Sequence, residues 1–76
     1  MKIHIEQIRP ELTWRLRQQV LYPAQKLHEM ELDEDNEGIH FGAFTEDKLV
    51  GIISLFQDGI IFQFRKLAVL PDFQKM

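Results

Sequence analysis

The second half of the chain carries three strand-like segments in succession, and this arrangement constrains the fold more than any other feature. Residues Ile39 to Phe44 alternate in polarity, Leu49 to Phe56 are strongly apolar, and Ile60 to Leu70 form a third apolar run. A polar turn over 45–48 separates the first two, and an Asp58-Gly59 pair typical of tight hairpins precedes the third. Since sequential hairpin strands are antiparallel neighbours, the pattern predicts an antiparallel meander.

The first half predicts one further strand and two short helices. Residues Lys2 to Ile8 alternate as a half-buried strand does. Pro10 followed by the acidic Glu11 favours a helix start, and Tyr22-Pro23 favours its end. A second short helix is predicted over 24–30. The apolar stripe predicted for the first helix consists of Leu12, Leu16 and Val20. The fold class is therefore α+β, with a mainly antiparallel sheet and two short helices.

Charge and composition exclude several classes of function. The 76 residues carry a formal net charge of -3, whereas a nucleic-acid partner requires a basic face that displaces counterions. The sequence contains no cysteine, which excludes disulfides and thiolate zinc sites. No stretch approaches the ~20 apolar residues that span a bilayer, so a membrane partner is not expected either. The composition predicts a cytoplasmic protein.

The third segment of the meander is apolar on both faces. Its two runs are Ile60-Ile61-Phe62-Gln63-Phe64 and Leu67-Ala68-Val69-Leu70. This pattern is typical of a central strand covered from both sides, yet only two short helices are available to cover it. Each large apolar side chain left uncovered forgoes about 1.5–3 kcal/mol. The sequence therefore predicts a chain that self-associates or needs a missing half.

The C-terminal segment, Arg65 to Met76, contains Leu67-Ala68-Val69, one further residue, Pro71 and then Gln74. This spacing resembles the fourth strand of the GNAT N-acetyltransferase superfamily and the start of its signature loop, Gln/Arg-x-x-Gly-x-Gly/Ala. The segments His40-Phe41-Gly42-Ala43 and Leu49-Val50-Gly51 resemble the second and third strands of that family. The resemblance implies an incomplete GNAT acyl-CoA N-acyltransferase fold comprising strands 1–4. Residues 1–76 would then be the N-terminal half of a single domain, ending at the start of the acetyl-CoA pyrophosphate loop.

The resemblance also implies an activity, the transfer of acetyl from acetyl-CoA to a primary amine of a small molecule or peptide. In the family the backbone of the fourth strand holds the pantetheine arm. The residues at those positions are Leu67, Ala68 and Val69. The pyrophosphate loop would begin with Gln74, Lys75 and Met76. The isolated chain is expected to be inactive, because the rest of that loop and the covering elements are absent.

Candidates for acceptor binding follow from the same resemblance. Trp14 and Tyr22 lie in the helical region that forms part of the acceptor pocket in the family, although core packing would also explain them. His40 could act as a base if its strand borders the substrate cleft. Many relatives place a carboxylate on the fourth strand, but Ile60 to Leu70 contains none. The catalytic base is therefore unassigned.

The remaining charged residues predict neither a metal site nor a buried cluster. Asp33, Asp35 and Glu37 precede Gly38 at EF-hand-like spacing, but Phe44 occupies the position of the required bidentate glutamate. A solvated loop is expected there. The residues expected on the surface outside this loop are His4, His28, His40, Arg15 and Arg17. A second class of function stays open, namely a non-catalytic interaction module or decayed remnant that pairs through its exposed sheet.

Overall fold

A computed structural model of the chain describes residues 2–74. Its four strands are β1 (His4–Ile8), β2 (Ile39–Thr45), β3 (Lys48–Asp58) and β4 (Ile61–Val69). They form one sheet in the order β1-β2-β3-β4, and every neighbouring pair is antiparallel. The α+β class and the antiparallel meander are confirmed, because the alternation and turn signals that specify them are local in sequence.

The chain between β1 and β2 begins with a helical segment over 10–21. Its three parts are a 3-10 turn (Pro10–Thr13), one α-helical turn, α1 (Trp14–Leu16), and a wider π turn (Arg17–Leu21). The second predicted helix is only a 3-10 turn, Leu27–Met30. Further 3-10 turns are Asp35–Glu37 and Pro71–Phe73. None of the helices in the described part of the chain has the length and apolarity needed to cross a bilayer.

The helical segment covers one face of the sheet. Leu16, Ile52 and Ala68 form the buried core, and Val20 packs against it. Leu12, the third member of the predicted stripe, is 42% exposed. The 3-10 turn advances three residues per turn rather than 3.6, so the first turn of the segment departs from the period that the stripe assumes. Thr13 is fully buried instead, and its hydroxyl donates to the Pro10 carbonyl at 2.7 Å.

The opposite face of the sheet is open within residues 2–74. β4, whose sequence pattern is typical of a strand covered on both sides, is an edge strand within the described residues. Phe64 is 67% exposed and Leu67 is 61% exposed. A shallow apolar depression on this face is bordered by Leu67, Val69 and the β3 residue Ile53. The apolar side chains of β4 on this face are therefore exposed to solvent rather than covered by a second layer.

Candidate functional site

A bulge interrupts the pairing of β4 with β3. Ala68 pairs with Ile52 and Arg65 pairs with Ser54, so Lys66 and Leu67 together oppose the single residue between Ile52 and Ser54. Lys66 has a φ of 58°, a left-handed conformation that costs a residue with a Cβ about 1–2 kcal/mol. Bulges are frequent next to active sites, where they re-aim a side chain or end a ladder.

The outer edge of β4 presents free backbone groups. The Leu70 N–H donates to the Val50 carbonyl at 2.9 Å, and backbone directions alternate along a strand. Val69 therefore directs its backbone groups away from β3 and Ala68 directs its groups toward β3. The Leu67 carbonyl, which lies on the same peptide as the Ala68 N–H, points away from β3 as well. The Gln74 side-chain amide donates to the Val69 carbonyl at 2.8 Å.

Four of the six predicted cofactor-binding residues thus lie in the described part of the chain. Leu67, Val69 and Gln74 are at the same free edge, while the Ala68 backbone belongs to the ladder with β3. The other two, Lys75 and Met76, lie outside the described residues.

A buried ion pair joins the helical segment to the acidic loop. Arg17 donates through Nη1 and Nη2 to the two carboxylate oxygens of Asp35, both at 2.9 Å. The two side chains are only 1% and 3% exposed. The predicted solvation of Arg17 and of Asp35 is therefore wrong. The loop folds over the guanidinium, whose other two Nη–H groups donate to the Met30 carbonyl and the Ser54 hydroxyl, both at 2.9 Å.

The carboxylate of Asp35 is fully engaged. Its Oδ2 also accepts from the Leu32 amide at 2.9 Å and from Trp14 Nε1 at 3.2 Å. Burial alone would raise the pKa of Asp35, but the Arg17 and Leu32 hydrogen bonds, the Arg17 charge and the Trp14 hydrogen bond together outweigh it. The pKa of Asp35 is therefore lowered from its ordinary value of 3.8. Trp14, a candidate acceptor residue, is a partner of this carboxylate.

His40 belongs to the same cluster and is 1% exposed, so its predicted surface location is wrong. Its Nε2 lies 2.8 Å from the Asp35 carbonyl oxygen and its Nδ1 lies 2.7 Å from Ser54 Oγ. A carbonyl can only accept, so Nε2 carries a hydrogen, and in the corresponding neutral tautomer Nδ1 accepts from the Ser54 hydroxyl. The Ser54 oxygen in turn accepts from Arg17. Both ring nitrogens are used inside the cluster, which gives His40 a structural role.

The three candidate acceptor residues border three different cavities. Trp14 lines one with Leu27 and Lys48, and His40 lines a second with Arg9. Tyr22 lines a third, of about 240 Å³, which we call the Tyr22 cavity. The structure therefore does not bring the three residues into one pocket, although Trp14 and His40 both bind Asp35.

The Tyr22 cavity is where the bulge of β4 meets the helical segment. Its polar lining residues are Arg17, Tyr22, Gln25, Glu29 and Lys66. The Lys66 ammonium donates to the Tyr22 hydroxyl. The Tyr22 N–H, in turn, donates to the Arg17 carbonyl at 3.0 Å and closes the π turn, a form that often occurs at functional sites. Lys66 was not predicted for any site, since a left-handed bulge at a lysine has no sequence signal.

Within residues 2–74, no cluster of three or more histidine, aspartate or glutamate side chains is arranged to hold a metal ion. Comparison with known proteins gives no family: no protein-family profile matches the chain, and no curated protein is significantly similar to it.

Proposed function

We propose that the chain is the N-terminal half of an acetyl-CoA-dependent N-acetyltransferase of the GNAT superfamily. The observation that carries the proposal is the free edge of β4. There, the Leu67-Ala68-Val69-Leu70-Pro71 motif coincides with an unpaired strand edge, a bulge and a turn that returns Gln74 to the same edge.

The edge fits the chemistry of a pantetheine arm. That arm carries amide groups, which can pair with a free strand edge as an added strand would. The Val69 N–H and the Leu67 carbonyl are outward backbone groups for this pairing, whereas the Val69 carbonyl accepts from Gln74. Acetyl-CoA supplies an activated acetyl thioester. A backbone N–H beside the bulge would hydrogen-bond the thioester carbonyl, and this bond would strengthen as negative charge develops on the oxygen.

Acceptor activation is a separate requirement. A lysine-like amine, with a pKa near 10.4 in water, must lose a proton before attack, at an apparent cost of roughly 4–5 kcal/mol at pH 7. β4 carries no carboxylate, so this strand provides no carboxylate side chain to act as the general base. The acceptor would be a primary amine of a small molecule or peptide, and the chain without its remaining half is expected to show no turnover.

Replacing Val69 with proline tests the role of the strand edge. Proline removes the outward N–H and fixes φ without removing a hydrogen bond to β3, and edge strands tolerate it where that N–H faces solvent. We expect calorimetry to show saturable binding of acetyl-CoA to the wild-type chain, no binding of 3′,5′-ADP, and binding at least about tenfold weaker in Val69→Pro, the loss of one hydrogen bond.

The matched control is Val69→Ala, which keeps the N–H and should retain affinity. Circular dichroism would establish that each variant is folded. Equal affinity of Val69→Pro and Val69→Ala would remove the strand edge from the proposed site. Absence of acetyl-CoA binding to the folded wild-type chain would count against cofactor capture by this half.

A second function, pairing with a partner through the sheet, is favoured by the exposed apolar residues of β4. Phe64 lies on the open face, whereas its neighbour Gln63 pairs opposite Phe56 and faces the other side. We expect the chain to self-associate at tens of micromolar in sedimentation experiments, and Phe64→Lys to shift it to monomer. Gln63→Lys adds the same charge to the same strand but on its other face, and this variant should still self-associate. A monomeric wild-type chain would contradict this prediction.

A further inference from the structure

The Tyr22 cavity holds cationic donors that are not used within the described chain. Lys66 has three N–H donors, of which one reaches the Tyr22 hydroxyl. No carboxylate within residues 2–74 forms an ion pair with it. Arg17 also lines the cavity, and its buried Nε–H has no hydrogen-bond partner in the described structure. This N–H is fully buried, so of the two cations it is Lys66 whose free donors face an entering ligand.

The bulge is what brings Lys66 to this cavity. Because Lys66 and Leu67 both oppose one residue of β3, Leu67 borders the open face of the sheet while Lys66 lies on the side of the helical segment. Lys66 adopts its left-handed conformation to do so. Strained backbone of this kind persists where the surrounding structure enforces it and is frequent in ligand sites.

The cavity also contains a negative charge. Glu29 lines it, and its Oε1 accepts from the Lys26 amide at 3.3 Å at the start of the Leu27–Met30 turn. A simple anion would be opposed by this carboxylate and a simple cation by Lys66. A ligand that carries both charges meets an opposite charge at each end.

Volume narrows the ligand class further. The cavity of about 240 Å³ exceeds the roughly 150 Å³ that accommodates benzene and is smaller than the roughly 300–1,000 Å³ of sites for drug-sized molecules. We propose that the Tyr22 cavity binds a small zwitterion of the amino-acid class. Its carboxylate would be held by Lys66 Nζ, and its ammonium group by Glu29. Its identity as the acetyl acceptor rests on the proposed function; the binding does not.

The test uses three probes of similar size: γ-aminobutyrate, which carries both charges, butyrate, and butylamine. Each is titrated into the ¹⁵N-labelled chain without acetyl-CoA, and the Arg17 Nε–H and Lys66 amide resonances are followed by NMR. We expect saturable shifts of both with γ-aminobutyrate, and affinities at least fivefold weaker with butyrate and with butylamine.

Two variants assign the charges. Lys66→Asn removes the ammonium, while asparagine tolerates the left-handed backbone. This variant should bind γ-aminobutyrate at least tenfold more weakly than the wild type. Glu29→Gln keeps an oxygen that can accept from the Lys26 amide. This variant should bind γ-aminobutyrate and butylamine more weakly, and its affinity for butyrate should not decrease. Lys48→Asn, which removes an exposed lysine outside this cavity, should change nothing.

Two results would overturn the proposal. One is the absence of saturable shifts in a folded chain, and the other is a response to γ-aminobutyrate that Lys66→Asn leaves unchanged. Because acetyl-CoA is absent from the titration, failure of the acetyl-CoA experiment would not affect this result, and the reverse also holds.

Discussion

Replacing Arg17 with methionine should destabilise the chain by about 3–5 kcal/mol, since it leaves the buried Asp35 carboxylate without its cation. A chain of 76 residues has a total stability of roughly 4–11 kcal/mol at about 0.05–0.15 kcal/mol per residue. At the lower end of this range, the loss is large enough to leave much of the variant unfolded at room temperature. Urea denaturation followed by circular dichroism measures it, and the fluorescence of the single tryptophan, Trp14, gives a second signal from the cluster itself.

An exposed ion pair within residues 2–74 provides a matched control. Arg65 and Glu34 are 2.8 Å apart, nearly the same distance as the buried pair, but their side chains are 41% and 37% exposed. Arg65→Met should cost no more than about 1 kcal/mol, as exposed pairs do. The two substitutions therefore compare a buried and an exposed ion pair whose N–O distances are nearly the same. A cost below about 1 kcal/mol for Arg17→Met would contradict the buried position of this pair.

The chain should also lose stability in acid because of Asp35. Its pKa is lowered from the ordinary value of 3.8 in the folded state, so the folded chain holds this proton less tightly than the unfolded chain does. The stabilisation is fully present above that ordinary value and is lost as the pH falls through the lower folded pKa. The free energy of unfolding of the wild type should therefore fall steeply below about pH 4.

Asp35→Asn isolates this effect, because asparagine has a similar shape and does not titrate. The variant should be the less stable protein at pH 7, and its stability should fall less steeply in acid, so the two curves approach each other as the pH decreases. Urea denaturation at a series of pH values gives both curves. Parallel curves would show that some other carboxylate is responsible for the acid sensitivity.

The strands could be predicted because their signals are local. The predicted segment Leu49 to Phe56 becomes β3, Lys48–Asp58, and Ile60 to Leu70 becomes β4, Ile61–Val69. Their turns are encoded by a few adjacent residues. The position of β4 in the sheet could not be predicted in the same way, because an apolar run of this kind is compatible with a central strand and with an exposed edge.

The buried cluster depends on contacts that no sequence period reports. Arg17 and Ser54 are far apart in the chain, and arginine on a polar helix face ordinarily indicates solvent. One signal could have drawn attention to the site: Ser54 is a hydroxyl within the apolar run of β3, where a buried polar group requires a partner. The partner itself follows only from how the acidic loop folds, and that is a property of the whole chain.

The sheet order has a consequence for how the chain folds. β2, β3 and β4 are joined by tight turns, whereas β1 reaches β2 only across residues 9–38. Closing this long loop costs about 2 kcal/mol more entropy than closing a two-residue turn. The three-strand hairpin unit can therefore form first, with β1 docking later. Arg17 and Asp35 both lie within the long connection, so their contact shortens the segment that remains to be closed. Formation of the buried ion pair is therefore linked to the late docking of β1.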